Sequence, residues 1–267
     1  MKLNRKIKYG LWIALTIVAV IAVFIHAPIS QDRTYHDLAD KRVILGIPNG
    51  CNVLTNIPFI VIGIVGIAQL RKTSIYRGMS MVYGILFAGI FFTGWGSAWY
   101  HLAPDNNTLV WDRIPMTLAF MSLLSATISE HISVKLGSRL LWPLLLIGIG
   151  SVLYWHYTER AGMGDLRLYG VVQFYPLFFI PFILLLFPAP AFNRGLRQFI
   201  GVLGWYTLAK VFEYFDKEVY HLTHFISGHS LKHLAAAAAT WYLIRMFQIN
   251  YVVSRDNKSL PKLPVRS

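Results

Sequence analysis

Eight long, mostly apolar runs limit what this chain can fold into. They cover residues 10–28, 53–70, 79–102, 109–129, 139–157, 167–188, 198–216 and 227–247. A run of about 20 such residues is what a helix needs to cross the hydrocarbon core of a bilayer. Within lipid, only helices and closed barrels satisfy every backbone polar group. The runs are continuous rather than alternating, so the sequence predicts an all-α, polytopic membrane helical bundle. A composition of 55% hydrophobic and 14% charged residues is too apolar for a soluble domain of this size. The seventh run is the weakest, because Lys210 and Glu213 lie inside it.

The net charge of +13 would suit a nucleic-acid binder, but the basic residues sit in short segments at the ends of the runs. They read as topology signals, since cytoplasmic segments of membrane proteins carry an excess of Lys and Arg. With eight spans and a cytoplasmic N-terminus, 16 of the Lys and Arg residues fall inside and 8 outside, with Lys210 within a span. Both termini are therefore expected in the cytoplasm, and no nucleic-acid partner is expected. The first run has the charged start of a signal sequence, but Ile25-His26-Ala27 is a poor cleavage site, so an uncleaved span is expected. Cys51 is the only cysteine and excludes an internal disulfide. Residues from Arg255 to Ser267 read as a disordered basic tail. Short loops and a compact core suggest a bacterial inner-membrane protein.

Against this apolar background a few polar residues converge. The stretch GWGSAWYHLAPDNNTLVWDRIP, Gly94 to Pro115, carries Ser97 and His101 four apart on one helix face, then Asp112 at the start of the next run. The last run opens with SGHSLKH, which places His229 and His233 four apart as well. In an up-and-down bundle these segments deliver three histidines, a serine and an aspartate to one level, near the outer leaflet. Three imidazoles suit a catalytic zinc, which keeps its fourth position for water or substrate. Asp112 could take the proton of that water or orient a histidine, and Ser97 could donate to an oxyanion. Plainer readings exist for each. Interfacial histidines can bond backbone or headgroups. Ser97, following Gly94 and Gly96, can be a small residue that permits close helix packing. Asp112 with Arg113 can be an interfacial ion pair.

Ser97-x-x-x-His101, an aspartate eleven residues on, and the final His229-x-x-x-His233 resemble the alkaline ceramidase family. They also resemble its wider superfamily of seven-span hydrolases, which includes the adiponectin–progestin receptors. The resemblance runs from about Asp37 to Met246 and takes in NVLTN, Asn52 to Asn56. It implies a seven-span catalytic core at residues 53–247 plus one extra N-terminal span within residues 1–30. Residues 31–52 would form an extracytoplasmic loop and 248–267 a cytoplasmic basic tail. It further implies zinc on His101, His229 and His233, with Asp112 activating water and Ser97 stabilising the oxyanion. The reaction implied is hydrolysis of the amide bond of a membrane lipid, ceramide in the family. Animal members carry an acidic calcium site built around D-W-x-E-x-N; this chain has Tyr35-His36-Asp37-Leu38-Ala39-Asp40 there, and Asn49 where a further glutamate should fall. Asp37 and Asp40 offer oxygen ligands of the kind calcium takes, though solvated loop carboxylates are the plainer reading.

Other polar residues complete the inventory. Lys210 and Glu213, three apart, read as a structural ion pair. His156, His221 and His224 fall near the outer side as reserve ligands, and His131 lies at the inner end. Trp95, Trp99, Tyr100, Trp111, Trp155 and Tyr157 suit an interfacial aromatic belt. The Ala235–Ala239 run suits close helix packing beside the histidine pair. Alternative functions for the scaffold are a receptor or signalling protein with a structural zinc, and a transporter or haem carrier. No protein partner is indicated by the sequence.

Overall fold

The computed structural model describes residues 4–188 and 192–252; the tail expected from Arg255 to Ser267 lies outside them. The chain runs through α1 (Arg5–Ile25), a single 3-10 turn at Arg33–His36, α2 (Gly50–Leu54) and α3 (Ile57–Lys72). It continues through α4 (Arg77–Leu102), α5 (Asn106–His131), α6 (Val134–Arg160) and α7 (Arg167–Leu186). It closes with α8 (Phe192–Tyr214), α9 (Asp216–Thr223) and α10 (Gly228–Phe247), extended by a π-helical turn at Gln248–Val252. Each of the eight apolar runs falls on one long helix, with α2 and α3 making up a single stretch, Gly50–Lys72. The protein is an all-α polytopic membrane bundle. Two short elements were not legible in the runs: α9, and the break between α2 and α3.

Five of these helices are long and apolar enough to cross a membrane: α1, α2–α3, α4, α6 and α7. The other three long helices, α5, α8 and α10, fall short because they carry the polar groups. Asp112 and Arg113 lie on α5, Lys210 and Glu213 on α8, and His229, Lys232 and His233 on α10. Hydropathy weakens where the chemistry is concentrated.

Sequence neighbours pack against each other from α3 through α8, and α10 packs on both α8 and α3, closing a ring. α1 stays outside that ring, packed on α7, and contributes no buried residue. Its ties are few: Lys8 Nζ donates to Leu186 O at 2.5 Å and Thr16 Oγ1 bonds Tyr175 Oη at 2.8 Å.

Local sequence explains the helix ends that matter. Asp105 caps α5 in a reciprocal box with Thr108, so the turn before Asp112 is fixed. Ser227 caps α10 by accepting from Ser230 N at 3.1 Å, two residues before His229. Pro115 has no N–H, so Trp111 O loses its helical donor. That carbonyl leans onto α4 at Gly96, where an added Cβ would lie 2.0 Å from it. Gly94 admits α3 in the same way, its Cβ position being 3.0 Å from Asn56 O. The glycines flanking Trp95 thus seat α4 between α3 and α5 just where Ser97 and His101 project.

Candidate metal centre

His101, His229 and His233 are all buried, and one ligand atom from each lies within 4.8 Å of the others. Their ring centroids form a near-equilateral triangle of 4.8, 4.8 and 4.9 Å. The Nε2 atoms of His101 and His233 face each other at 3.1 Å. Two nitrogens on adjacent corners of a zinc tetrahedron would be about 3.3 Å apart, given zinc–nitrogen bonds of about 2.0–2.1 Å.

The surroundings of His233 determine which of its nitrogens is free. Its Nδ1 lies 3.0 Å from Thr55 Oγ1. Thr55 gives its single hydroxyl proton to Cys51 O at 2.8 Å, so toward the imidazole it accepts. That assignment puts the proton on Nδ1 and leaves the Nε2 lone pair facing His101. His101 Nδ1 has no partner, so the His101 proton can lie on Nε2 and bridge the pair, or sit on Nδ1 and leave both Nε2 lone pairs to a cation. The donor set fits a metal ion in the second state.

The NVLTN segment supports this arrangement more broadly. Asn52 Oδ1 accepts from Ser230 Oγ at 2.9 Å, and Asn52 Nδ2 donates to Asp40 O at 2.9 Å. Asn49 Nδ2 donates to His101 O at 2.9 Å. Asp216, the first residue of α9, accepts from His229 N at 2.7 Å and from Ala39 N at 3.0 Å. None of these residues could be singled out beforehand as a support, because each acts through a tertiary contact. Asn52 to Asn56 were visible only as part of a resemblance.

Ser97 and Asp112 are buried and line one apolar cavity of about 120 Å³ together with His233 and Lys232. Lys232 is the residue of this group that the sequence reading missed. It follows His229 by three positions and precedes His233 by one, so the helical period already put it on the histidine face. Its Nζ lies 3.4 Å from His229 Nε2 and donates to Glu213 Oε1 at 2.7 Å. The expected Lys210–Glu213 pair forms, and Lys232 makes it a triad.

Several residues stand elsewhere than expected. Asp112 and Arg113 make no ion pair with each other. Arg113 turns away, donating to Gln31 Oε1 at 2.6 Å and lying 4.2 Å from the Trp155 ring centre and 4.6 Å from that of Tyr169. Tyr100 and Trp155 are fully buried, unlike the exposed Trp95, Trp99, Trp111 and Tyr157. They pack in a buried cluster with Leu109, Val110, Val152 and Tyr169, where His36 and Arg113 give them polar partners inside the bundle. His221 and His224 are exposed on and after α9, and His131 bonds Phe187 O at 3.0 Å at the far end. His156 is half-buried and outside the three-histidine group. In the loop, Asp37 is exposed, and hydrogen bonds from Lys41 and Lys217 hold its carboxyl down to about 2. Asp40 is buried, which raises its pKa, but two bonds from the Arg42 side chain outweigh this and hold it below the usual carboxylate range. Each loop carboxylate thus has its own cationic partners.

A second, larger chamber of about 520 Å³ adjoins the first, with Asp112, Met116, Tyr206, Lys232 and Ala236 lining both. Its volume falls within the range of about 300–1,000 Å³ usual for small-molecule sites. Fold and site together define an integral membrane bundle with a buried, metal-competent histidine group beside cavities walled largely by apolar side chains. Residues 46–263 match the family model described as Ceramidase, which is more than half of the chain. The chain therefore belongs to the ceramidase family and is a ceramidase-like hydrolase of the membrane, with a lipid as its implied substrate. No curated protein matches the chain. The matched segment begins after α1.

Proposed function

We propose that the protein is a zinc-dependent intramembrane hydrolase that cuts the amide bond of a ceramide-like lipid. The observation that carries this reading is the buried triangle of His101, His229 and His233, of which His233 lines the cavity that also holds Ser97 and Asp112. A zinc ion held by the three imidazoles would supply a water of lowered pKa and a Lewis acid for the carbonyl.

The chain's own groups would do the rest. Thr55 holds His233 in the tautomer that presents Nε2. Asp112 would accept the proton of the attacking water and pass it to the departing nitrogen, so that fatty acid and amine leave. Ser97 would donate its hydroxyl proton to the oxygen of the tetrahedral carbon. Lys232, fixed by Glu213, adds positive charge beside the same cavity, where a developing oxyanion gains most in a water-poor setting. The apolar walls would hold the lipid chains with the amide at the junction of the two cavities.

The extracytoplasmic face is the proposed location of this end of the bundle, with both termini cytoplasmic. The 16-to-8 distribution of basic residues supports that orientation. α1 would be an added span outside a seven-span core.

The test is mass spectrometry of lipids incubated with zinc-loaded protein and with His101→Ala. Release of a fatty acid and the freed amine by the wild type alone is expected. Stoichiometric zinc that survives both His229→Ala and His233→Ala would refute the site. A zinc-loaded protein that turns over no lipid amide but binds a partner on adding ligand would favour the receptor reading.

A further inference from the structure

Arg113 is a buried cation whose hydrogen-bonding capacity is not filled. It is 6% exposed and lines the larger chamber. One terminal nitrogen donates to Gln31, and the other, Nη1, has no hydrogen-bond partner. The guanidinium is held by ring faces: Trp155 and Tyr169 close by, and Tyr35 at 5.9 Å. Aromatic faces stabilise a cation without occupying its N–H donors as a carboxylate would.

The other charges of the chamber are accounted for. Lys210 and Lys232 both pair with Glu213, and Arg167 with Asp165. Asp112 is the remaining carboxylate on the wall and makes no ion pair. Lys210 is 40% exposed, so the buried charges are Arg113 and Lys232 against Asp112 and Glu213; they balance in number, but Arg113 is paired with neither carboxylate. A buried cation with no paired anion is costly unless a ligand supplies one.

We infer that this chamber receives the anionic group of the substrate, and that the lipid amide cut here bears a carboxylate or phosphate on its amine side. This rests on the hydrolase reading and narrows its substrate class. Asp112 and Lys232 line both cavities, so a lipid whose amide lies at the junction sends its acyl chain toward the apolar cavity beside His233. The amine-side group then enters the chamber of Arg113. A guanidinium suits such a group because its N–H donors match two anion oxygens at once. In the reaction, the water oxygen bonds to the acyl carbon and the carbon–nitrogen bond breaks. The nitrogen takes a proton, giving a fatty acid and an amine that keeps the anionic group.

The test compares N-palmitoylglycine with uncharged N-palmitoylethanolamine on the zinc-loaded full chain. Wild type is expected to favour the anionic amide in kcat/KM by about tenfold or more, the scale of one charged hydrogen-bond pair. Arg113→Gln should collapse that ratio through KM while retaining zinc content, which reports an intact site. Arg113→Lys, keeping charge without the fork, should give an intermediate ratio. A wild-type ratio of one or below, or a ratio unchanged in Arg113→Gln, overturns the proposal. Palmitate as an inhibitor separates the other source of a carboxylate: if only palmitate inhibition weakens in Arg113→Gln, the seat serves the product and the inference fails. Should neither amide be hydrolysed, the hydrolase reading fails on its own only if ceramide is also left intact. Binding of N-palmitoylglycine then decides: about tenfold weaker binding to Arg113→Gln upholds the anion seat, and equal affinity removes it.

Discussion

Thr55 is the side chain through which the bundle sets the chemistry of His233. Its hydroxyl donates to Cys51 O and so accepts from Nδ1, which leaves Nε2 free to face His101. Thr55→Val removes that acceptor while keeping the branched shape. Zinc affinity is expected to fall by about 10–100-fold, as is usual when the partner of a ligating histidine is lost. Competition with a chromophoric chelator measures it, and unchanged affinity would assign Thr55 a packing role alone. Lys232 offers a second residue-scale test. Lys232→Met leaves Glu213 with Lys210 only and removes positive charge from the cavity. We expect a loss of about 1.5–3 kcal/mol, the scale of one charged hydrogen bond, since Lys210 still pairs with Glu213; it is read as reduced stability to denaturant in detergent. At this scale the sequence was a partial guide. Four-residue spacings made the histidines visible, since helical periodicity needs no knowledge of neighbours. Thr55 and Asp216 were opaque as supports, because their partners lie far along the chain. Lys232 was legible in principle from its place on the histidine face.

At the scale of elements, the close seating of α4 against α5 positions the site. Pro115 frees Trp111 O, and Gly96 gives that carbonyl room. Gly96→Ala would put a methyl carbon 2.0 Å from a backbone oxygen, so the helices must part. A cost of about 1–3 kcal/mol is expected, together with weaker zinc binding, since Ser97 and His101 move with α4. Thermal unfolding followed with and without zinc measures both; wild-type stability would mean that the contact is soft. α1 presents the opposite case. It buries nothing of its own, yet Ala19, Val20 and Val23 wall the larger chamber. Removing residues 1–25 should leave stoichiometric zinc in place while opening that wall to lipid. Loss of zinc on truncation would make α1 part of the core. The sequence marked α1 as a run like the others, because hydropathy records composition and not which neighbours a helix has.

For the molecule as a whole, the ring from α3 to α10 brings one end of every long helix of the core to the same level. The ends of α4, α6 and α8 meet the starts of α5, α7 and α10 there. The proposed topology puts that end outside. In a Cys51→Ser background, cysteine introduced at the exposed His224 should react with a membrane-impermeant maleimide in intact cells. Cysteine introduced at Lys6 should react only after permeabilisation, and the reverse pattern would invert the bundle. Continuous apolar runs made the helix count legible. Closure of the ring by α10 on α3 was beyond reach, because it depends on packing between segments far apart in the chain. The chamber of Arg113 was hidden for the same reason: its walls come from α1, α5, α7, α8 and α10.

The central claim is that three imidazoles hold one divalent ion with a position left open. X-ray absorption at the zinc edge of the purified, zinc-loaded protein tests it most directly. The account predicts three nitrogen ligands at about 2.0–2.1 Å and one further oxygen, with histidine-type outer scattering. A sulfur ligand, a fourth imidazole, or a spectrum unaltered by His233→Ala would contradict it.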